Sequence, residues 1–337
     1  MPSPPLRCAA IGLDHPHIYD MVQSLLDAGV ALAAFHAEED ALAAAFAARF
    51  PQARRVADAR RILEDEAIAI VASAIVPDRR AALAIDAMRH GKDLMVDKPG
   101  VIALDDLTAL RRAQAETGRI FSVCFSERFQ VRASAKASEL VQAGAIGRVV
   151  QTIGLGPHRL GLNPRPNWFF ERARYGGILA DIAAHQADQF LHYTGSTEAE
   201  VVAAHIANYA NPGKPELEDF GEMMLRGNRG TGYVRVDWYT PDGLGVWGDG
   251  RLIILGTEGY IEARKYIDIA GKPGADHLFL VDKKGTRRVD CSATPLPYAA
   301  AFAHDVVARS ETAMGQDHCF LACELALKAE AIATRLA

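Results

Sequence analysis

The chain has 337 residues, half of them hydrophobic, with 37 Lys and Arg against 42 Asp and Glu for a net charge of -5. That length exceeds what a single core usually serves, so two domains are expected, and the acidic balance argues against a nucleic-acid surface. No run approaches the roughly 18 apolar residues of a membrane helix, and Met1-Pro2-Ser3-Pro4-Pro5 lacks the basic and apolar regions of a signal peptide, so a cytoplasmic protein with a small-molecule substrate is expected.

In chain order, Leu6 to Leu13 reads as an apolar strand ending in a turn at Gly12, and Ile18 to Ala28 as an amphipathic helix closed by Gly29. Val30 to Phe35 is a second strand, and Ala41 to Phe50 an alanine-rich helix stopped by Pro51. Strand and helix keep alternating through Ile68 to Ile75, Arg79 to His90, Asp93 to Val96, Asp105 to Thr117 and Ile120 to Phe125. Strands apolar along their whole length, separated by helices, imply a doubly wound parallel sheet of the Rossmann type, whose ligands bind beyond the carboxyl ends of the strands. After about residue 126 the pattern changes to alternating strands such as Val149 to Gly154, Val201 to Asn208, Met223 to Arg226 and Gly232 to Tyr239. The expectation is therefore α/β: a Rossmann domain over residues 1–125, then an α/β domain over 126–337 with a large, mostly antiparallel sheet. His318 to Ala337 reads as one terminal helix packing against either domain.

The first turn, Gly12-Leu13-Asp14-His15-Pro16-His17, keeps only the first glycine of the usual dinucleotide fingerprint. Asp14 at the second position would repel phosphate unless it turns away. His15 and His17 either donate to phosphate or cap the helix. The Asp-His-Pro-His spacing resembles a ligand run, but no further ligand is identifiable, so no metal is expected. Five cysteines, Cys8, Cys124, Cys291, Cys319 and Cys323, lack zinc-ribbon spacing and read as reduced core thiols. After the second strand, His36 holds the position of the usual ribose-binding acid, and Glu38 is placed to reach the ribose. With no arginine nearby to meet a 2′-phosphate, NAD is the expected cofactor, NADP being left open. Ala74, ending the third strand, and Asp97 and Lys98, after the next, complete the expected cofactor contacts with Gly12, Leu13, Asp14, His15, His17, His36 and Glu38.

Two signatures carry a family resemblance: Val96-Asp97-Lys98-Pro99, and Tyr175-Gly176-Gly177-Ile178-Leu179-Ala180-Asp181-Ile182-Ala183-Ala184-His185-Gln186-Ala187-Asp188. With Phe125-Ser126-Glu127-Arg128-Phe129, Gly144-Ala145-Ile146-Gly147-Arg148-Val149 and Gly256-Thr257-Glu258-Gly259 in support, the chain resembles the glucose-fructose oxidoreductase and inositol dehydrogenase family, Gfo/Idh/MocA, over nearly its whole length. The resemblance implies an NAD(P)-dependent oxidoreductase acting on a secondary alcohol or ketone of a sugar, polyol or sugar acid. It matches Lys98 to the lysine of the family's Glu-Lys-Pro motif, with Asp97 replacing the glutamate, and Asp181 and His185 to the acid and histidine of the second motif, as a catalytic set. Hydride leaves a carbinol carbon only as its hydroxyl proton is removed, a role suited to an imidazole. Lysine would steady the developing alkoxide, and Asp181 would orient the pair. Asp181 and His185 are four apart, so an α-helix would place both on one face.

The stretch from Gly156 to Phe169 is rich in donors. His158, Arg159 and Arg165 are candidates to grip hydroxyls or a carboxylate, and Trp168 offers a flat face to a sugar ring. A homodimer or homotetramer is expected, since one broad sheet face needs covering. Two alternatives stay open: an enzyme whose tightly held NAD cycles through a transient ketone, and a non-catalytic sensor of sugar or dinucleotide.

Overall fold

The computed structural model describes residues 5–161 and 165–336, so the chain's first residues and three residues of the donor-rich stretch, Leu162, Asn163 and Pro164, lie outside the described residues. The chain forms two compact units, one built from the chain up to Cys124 together with Pro297–Phe320, the other from Phe125–Leu296 and from Leu321 onward.

In the first unit the elements are β1 (Arg7–Ile11), α1 (His17–Asp27), β2 (Ala31–His36), α2 (Asp40–Arg49), β3 (Arg54–Arg55), α3 (Arg60–Leu63), β4 (Ile70–Ser73), α4 (Pro77–Arg89), β5 (Asp93–Asp97), α5 (Leu104–Thr117) and β6 (Phe121–Cys124). The sheet order is β3-β2-β1-β4-β5-β6, with every neighbouring pair parallel. Connections run outward from β1 to β3 and then restart on the other side of β1. The carboxyl ends of β1 and β4 therefore flank a switch point, where loops diverge and leave a crevice. Residues of β4, β5 and β6 are all buried, as their uninterrupted apolar reading requires. Helix α1 buries Ile18, Met21, Val22 and Leu25, a stripe at helical spacing.

The second unit begins with α6 (Ser126–Phe129) and α7 (Arg132–Gln142), then β7 (Val149–Pro157), a 3-10 turn at Asn167–Phe170 and α8 (Arg172–Tyr175). A π-helical turn at Leu179–Ala183 runs into α9 (Ala184–Thr194). Then come β8 (Ala199–Ala207), β9 (Phe220–Gly227), β10 (Thr231–Asp237), β11 (Arg251–Gly256), β12 (Gly259–Arg264), β13 (His277–Asp282) and β14 (Gly285–Val289). With the last strand, β15 (Thr334–Arg335), they form a nine-stranded sheet in the order β14-β13-β12-β11-β7-β10-β9-β8-β15. Its pairs are antiparallel except β7 with β10 and β8 with β15. Burial alternates along β9 and β11, so one face is covered and the other is open. Helix α9 lies over β7. A methyl at Gly154 would meet Gln186 Cγ at 2.6 Å, so the strand is glycine there because the helix packs directly on its backbone.

Two elements near the end depart from the sequence reading. Between β14 and β15 lie α10 (Tyr298–Ala308) and α11 (Gln316–Ile332), and the stretch Pro297–Phe320, expected in the second domain, belongs to the first unit. There the Tyr298 hydroxyl bonds Ser122 Oγ at 2.8 Å, and Arg309 forks onto the buried Asp93 at 2.7 and 2.8 Å. The terminal helix stops at Ile332, five residues short of the expected Ala337, and Thr334–Arg335 instead adds an edge strand beside β8.

Candidate active site

In the first unit, the turn after β1 is fixed by the backbone. Gly12 N–H donates to His36 O at 3.1 Å, Ala74 N–H donates to Gly12 O at 3.1 Å, and His15 N–H donates to Ala74 O at 3.1 Å. Gly12 has φ of +77°, and a methyl there would sit 2.4 Å from Ile75 Cβ, so only glycine fits. Above it opens a cavity of about 440 Å³, lined among others by Gly12, Leu13, Asp14, His36, Glu38 and Arg79. That is room for the adenosine half of a dinucleotide, at the carboxyl ends of β1, β2 and β4. His36 turns its Nδ1 to Val56 O at 3.1 Å. Asp14 does not turn away: it lines the cavity half-buried, and burial raises its carboxyl above the usual range despite the nearby Arg79 guanidinium.

The expectation that no arginine stands near the ribose position is overturned. Arg79, at the start of α4, grips Glu38 through two hydrogen bonds of 2.5 and 2.9 Å. The arginine comes from a helix 41 residues further along, which local spacing does not reach.

His15 Nδ1 accepts the His17 amide at the start of α1 over a long 3.4 Å, a weak cap at most. Both rings turn their Nδ1 to the buried carboxylate of Asp97: His17 to Oδ1 at 2.9 Å, His15 to Oδ2 at 3.1 Å. The same carboxylate accepts the Lys98 amide at 2.8 Å and Arg80 Nη2 at 3.4 Å. Arg80, itself fully buried, donates further to the carbonyls of Ile75, Asp97 and Pro99. Burial alone would raise Asp97, but the cationic and N–H groups around it hold it well below the usual carboxylate range. Burial, then the neighbouring His17, push the His15 imidazole down to about 4, so that ring is neutral at physiological pH. Asp97 is thus the further ligand-type residue that the Asp-His-Pro-His run seemed to lack, and His15, His17 and Asp97 have donor atoms within 4.8 Å of one another. Lys98 is 6% exposed, at the carboxyl end of β5.

In the second unit, Glu218 and Glu330 fasten the turn carrying Asp181 and His185. Their carboxylates accept the amides of Ile178 at 2.9 Å and Leu179 at 2.6 Å, donors that a helix start otherwise leaves unsatisfied. Arg172 bridges the two acids at 2.8 and 2.7 Å. The expected single α-helix is a π turn joined to α9, with Asp181 in the turn and His185 in the helix, both buried. Asp181 lies close enough to Arg165 for its charge to favour the guanidinium, although burial outweighs it and lowers Arg165. Arg165 stacks on Phe169 and Trp238 at 4.5 and 4.9 Å, and His158 packs edge-on against Trp238 and Trp247. Trp168 touches Phe169 edge-on. Arg159 departs from the reading that it grips substrate: it donates to the carbonyls of Pro241, Leu244 and Val246 and so fastens that loop.

Sequence reasoning passed over the charged centre of this unit. Glu127 and Lys265 form a fully buried ion pair, and Gln186 Nε2 donates to Glu127 at 3.0 Å. Burial opposes ionisation of Glu127, but Lys265, then His185 and His158, hold its carboxyl down at about 2. Glu127 was visible in the Phe-Ser-Glu-Arg-Phe stretch, whereas Lys265, 138 residues away, carried no local signal.

A parallel sheet in this order, with one obligatory glycine below a crevice at its switch point, defines the first unit as a dinucleotide-binding Rossmann unit. Residues 6–125 match the oxidoreductase family's NAD-binding Rossmann fold, and residues 134–262 match the GFO/IDH/MocA C-terminal domain. The chain belongs to the Gfo/Idh/MocA family. It is 47% identical to a protein of solved structure from Erwinia carotovora atroseptica SCRI1043, over 98% of this chain and all of that one, with a TM-score of 0.96. Among curated proteins it is 26% identical to scyllo-inositol 2-dehydrogenase (NAD(+)) of Bacillus subtilis over 68% of this chain and 63% of that one. It is 30% identical to levoglucosan dehydrogenase of Pseudarthrobacter phenanthrenivorans over 47% of this chain and 41% of that one. The match thus spans less than two thirds of either curated relative.

Proposed function

We propose that the chain is an NAD-dependent dehydrogenase or reductase acting on a secondary alcohol or ketone of a ring-shaped sugar, polyol or sugar acid. The observation that carries this reading is a buried lysine directly after β5 in the same unit as a crevice with room for the adenosine half of a dinucleotide, in a chain of this family. NAD, when bound, takes or returns the hydride. Gly12, Leu13, His36 and Glu38 hold its adenosine side, Glu38 favouring a ribose with a free 2′-hydroxyl. His185 accepts the proton of the reacting hydroxyl, Lys98 steadies the oxygen as negative charge develops, and Asp181 orients the pair. His158, Arg165 and Trp168 bind the substrate, with Trp238 added as an aromatic wall. The relatives' names, which specify inositol and levoglucosan, support a polyhydroxylated ring.

The open sheet face supports a homodimer or homotetramer. Across neighbouring strands it presents the row Met224, Tyr233, Ile153 and Ile253, each exposed or half-exposed. Five buried cysteines, none of them in a disulfide, agree with a reducing, cytoplasmic setting, and no helix among the described residues is long and apolar enough to cross a membrane. The test is NAD reduction by the purified protein against a panel of cyclic polyols and sugars, repeated with Lys98→Met. Loss of a stabilised oxyanion is expected to lower kcat by roughly a thousandfold. A variant retaining a tenth of the activity overturns the role given to Lys98.

A further inference from the structure

We propose that His15, His17 and Asp97 form a binding site for a single divalent first-row transition cation. The site goes beyond the dehydrogenase reading, which needs no metal.

The chain departs from the pattern of its family at two places that the fold brings together. The glycine fingerprint is replaced by a turn carrying His15 and His17, and the glutamate of the Glu-Lys-Pro motif is replaced by Asp97. These departures lie on separate elements, 80 residues apart between His17 and Asp97, and the fold brings them into contact. At the start of α1 the only side-chain contact to a backbone amide among the described residues is the long one from His17 N–H to His15 Nδ1, at 3.4 Å. Both Nδ1 atoms converge on one carboxylate.

The geometry suits an ion. Ligands held about 2.0–2.2 Å from a tetrahedral centre lie roughly 3.3–3.6 Å from one another. Here Nδ1 to carboxylate oxygen separations are 2.9 and 3.1 Å, and the three donor atoms fall within 4.8 Å of one another. A few tenths of an ångström of side-chain movement opens the site. Each imidazole then carries its proton on Nε2 and presents a lone pair from Nδ1. Two imidazoles and one carboxylate suit a borderline cation such as Zn²⁺, Co²⁺ or Fe²⁺, and three protein ligands leave a coordination position open for water or a ligand oxygen.

The surroundings are those of a supported ligand set. The Asp97 carboxylate is 1% exposed and is oriented by the Lys98 amide and by Arg80, which is anchored on three backbone carbonyls. Such outer hydrogen bonds fix the direction of a ligating carboxylate. His15 is held through its own amide on Ala74 O, while His17 is a third exposed, which leaves a route for the ion.

The test uses the full-length protein stripped with EDTA and titrated with Zn²⁺ by calorimetry, with metal content measured after desalting and a Co²⁺ absorption spectrum recorded. Expected are one Zn²⁺ per chain, a Co²⁺ spectrum without sulfur charge-transfer bands, and affinity at least tenfold weaker in H15Q, H17Q and D97N. The two histidine variants carry the test if D97N fails to fold, since both rings are partly exposed. No stoichiometric Zn²⁺, affinity unchanged in the H15Q/H17Q double variant, or Co²⁺ bands from thiolate would each overturn the site. NADH binding measured in metal-free buffer separates the two readings: NADH bound without Zn²⁺ uptake sinks the metal site alone, and Zn²⁺ bound without NADH uptake sinks the dehydrogenase alone.

Discussion

Replacing Lys265 with Met leaves the Glu127 carboxylate in the interior of the second unit without its cation, while Gln186 still donates to it. Removing one member of a buried ion pair costs about 3–5 kcal/mol, because the remaining charge keeps its desolvation penalty. The acid side gives a second estimate. Lys265 and the two histidines hold Glu127 at about 2 against an ordinary value near 4.5, a difference of roughly 3 kcal/mol in linkage terms. The sign follows from a depressed carboxylate: the stabilisation is complete above about pH 4.5 and is lost as pH falls toward 2. All three tryptophans, Trp168, Trp238 and Trp247, belong to the second unit, so urea unfolding followed by tryptophan fluorescence reports that unit by itself. Lys265→Met should lose about 3–5 kcal/mol at pH 7, and the Lys265→Met, Glu127→Gln double variant should recover most of it and show a shallower loss between pH 5 and 3. A single variant losing less than about 1 kcal/mol, or a double variant as acid-sensitive as the parent, would refute the assignment.

Three further outcomes follow from the first unit and the open sheet face. Gly12→Ala forces a side chain into a left-handed position 2.4 Å from Ile75 Cβ, so it should cost at least about 2 kcal/mol and weaken NADH binding in a fluorescence titration; unchanged binding would mean the turn does not face the dinucleotide. Glu38→Gln releases Arg79 from its two-bond grip and should raise the ratio of NADPH to NADH affinity by about tenfold, whereas Glu38→Gln with Arg79→Gln should not; equal ratios in both would remove the pair from cofactor choice. Met224→Asp on the open face should shift the protein toward monomer in light scattering, and an unchanged mass would place the subunit contact elsewhere.

Local pattern made the architecture legible, because burial on both faces leaves the strands of a parallel sheet uniformly apolar, and the switch from Ile120–Phe125 to alternating strands after residue 126 marks a sheet with one open face. Pattern also put Lys98 at a carboxyl strand end and Asp181 and His185 four apart on one helical segment. It failed wherever a charge finds its partner through the fold: Arg79 with Glu38, 41 residues apart; Asp97 with His17, 80 apart; Glu127 with Lys265, 138 apart; Asp93 with Arg309, 216 apart. The return of Pro297–Phe320 to the first unit is part of the same failure, since Arg309 answers a charge that β5 carries two hundred residues earlier.

The existence of such partners was nevertheless implied. Strand β5 reads Asp93-Leu94-Met95-Val96-Asp97, two carboxylates bracketing three apolar residues in a central strand. An ionised carboxylate is not buried without a counter-charge or a set of donors, so each aspartate obliged the fold to supply one. At the amino end of the strand the answer is the bidentate grip of Arg309, joined by the Ile120 amide at 2.8 Å and by Arg119 at 3.8 Å. At the carboxyl end, where this architecture places its chemistry, the Lys98 amide and Arg80 are joined by two imidazoles, whose ring nitrogens can either donate or accept. The same strand thus carries one charge met only by permanent donors and one met in part by imidazoles, and it is on the second that the proposed cation site rests.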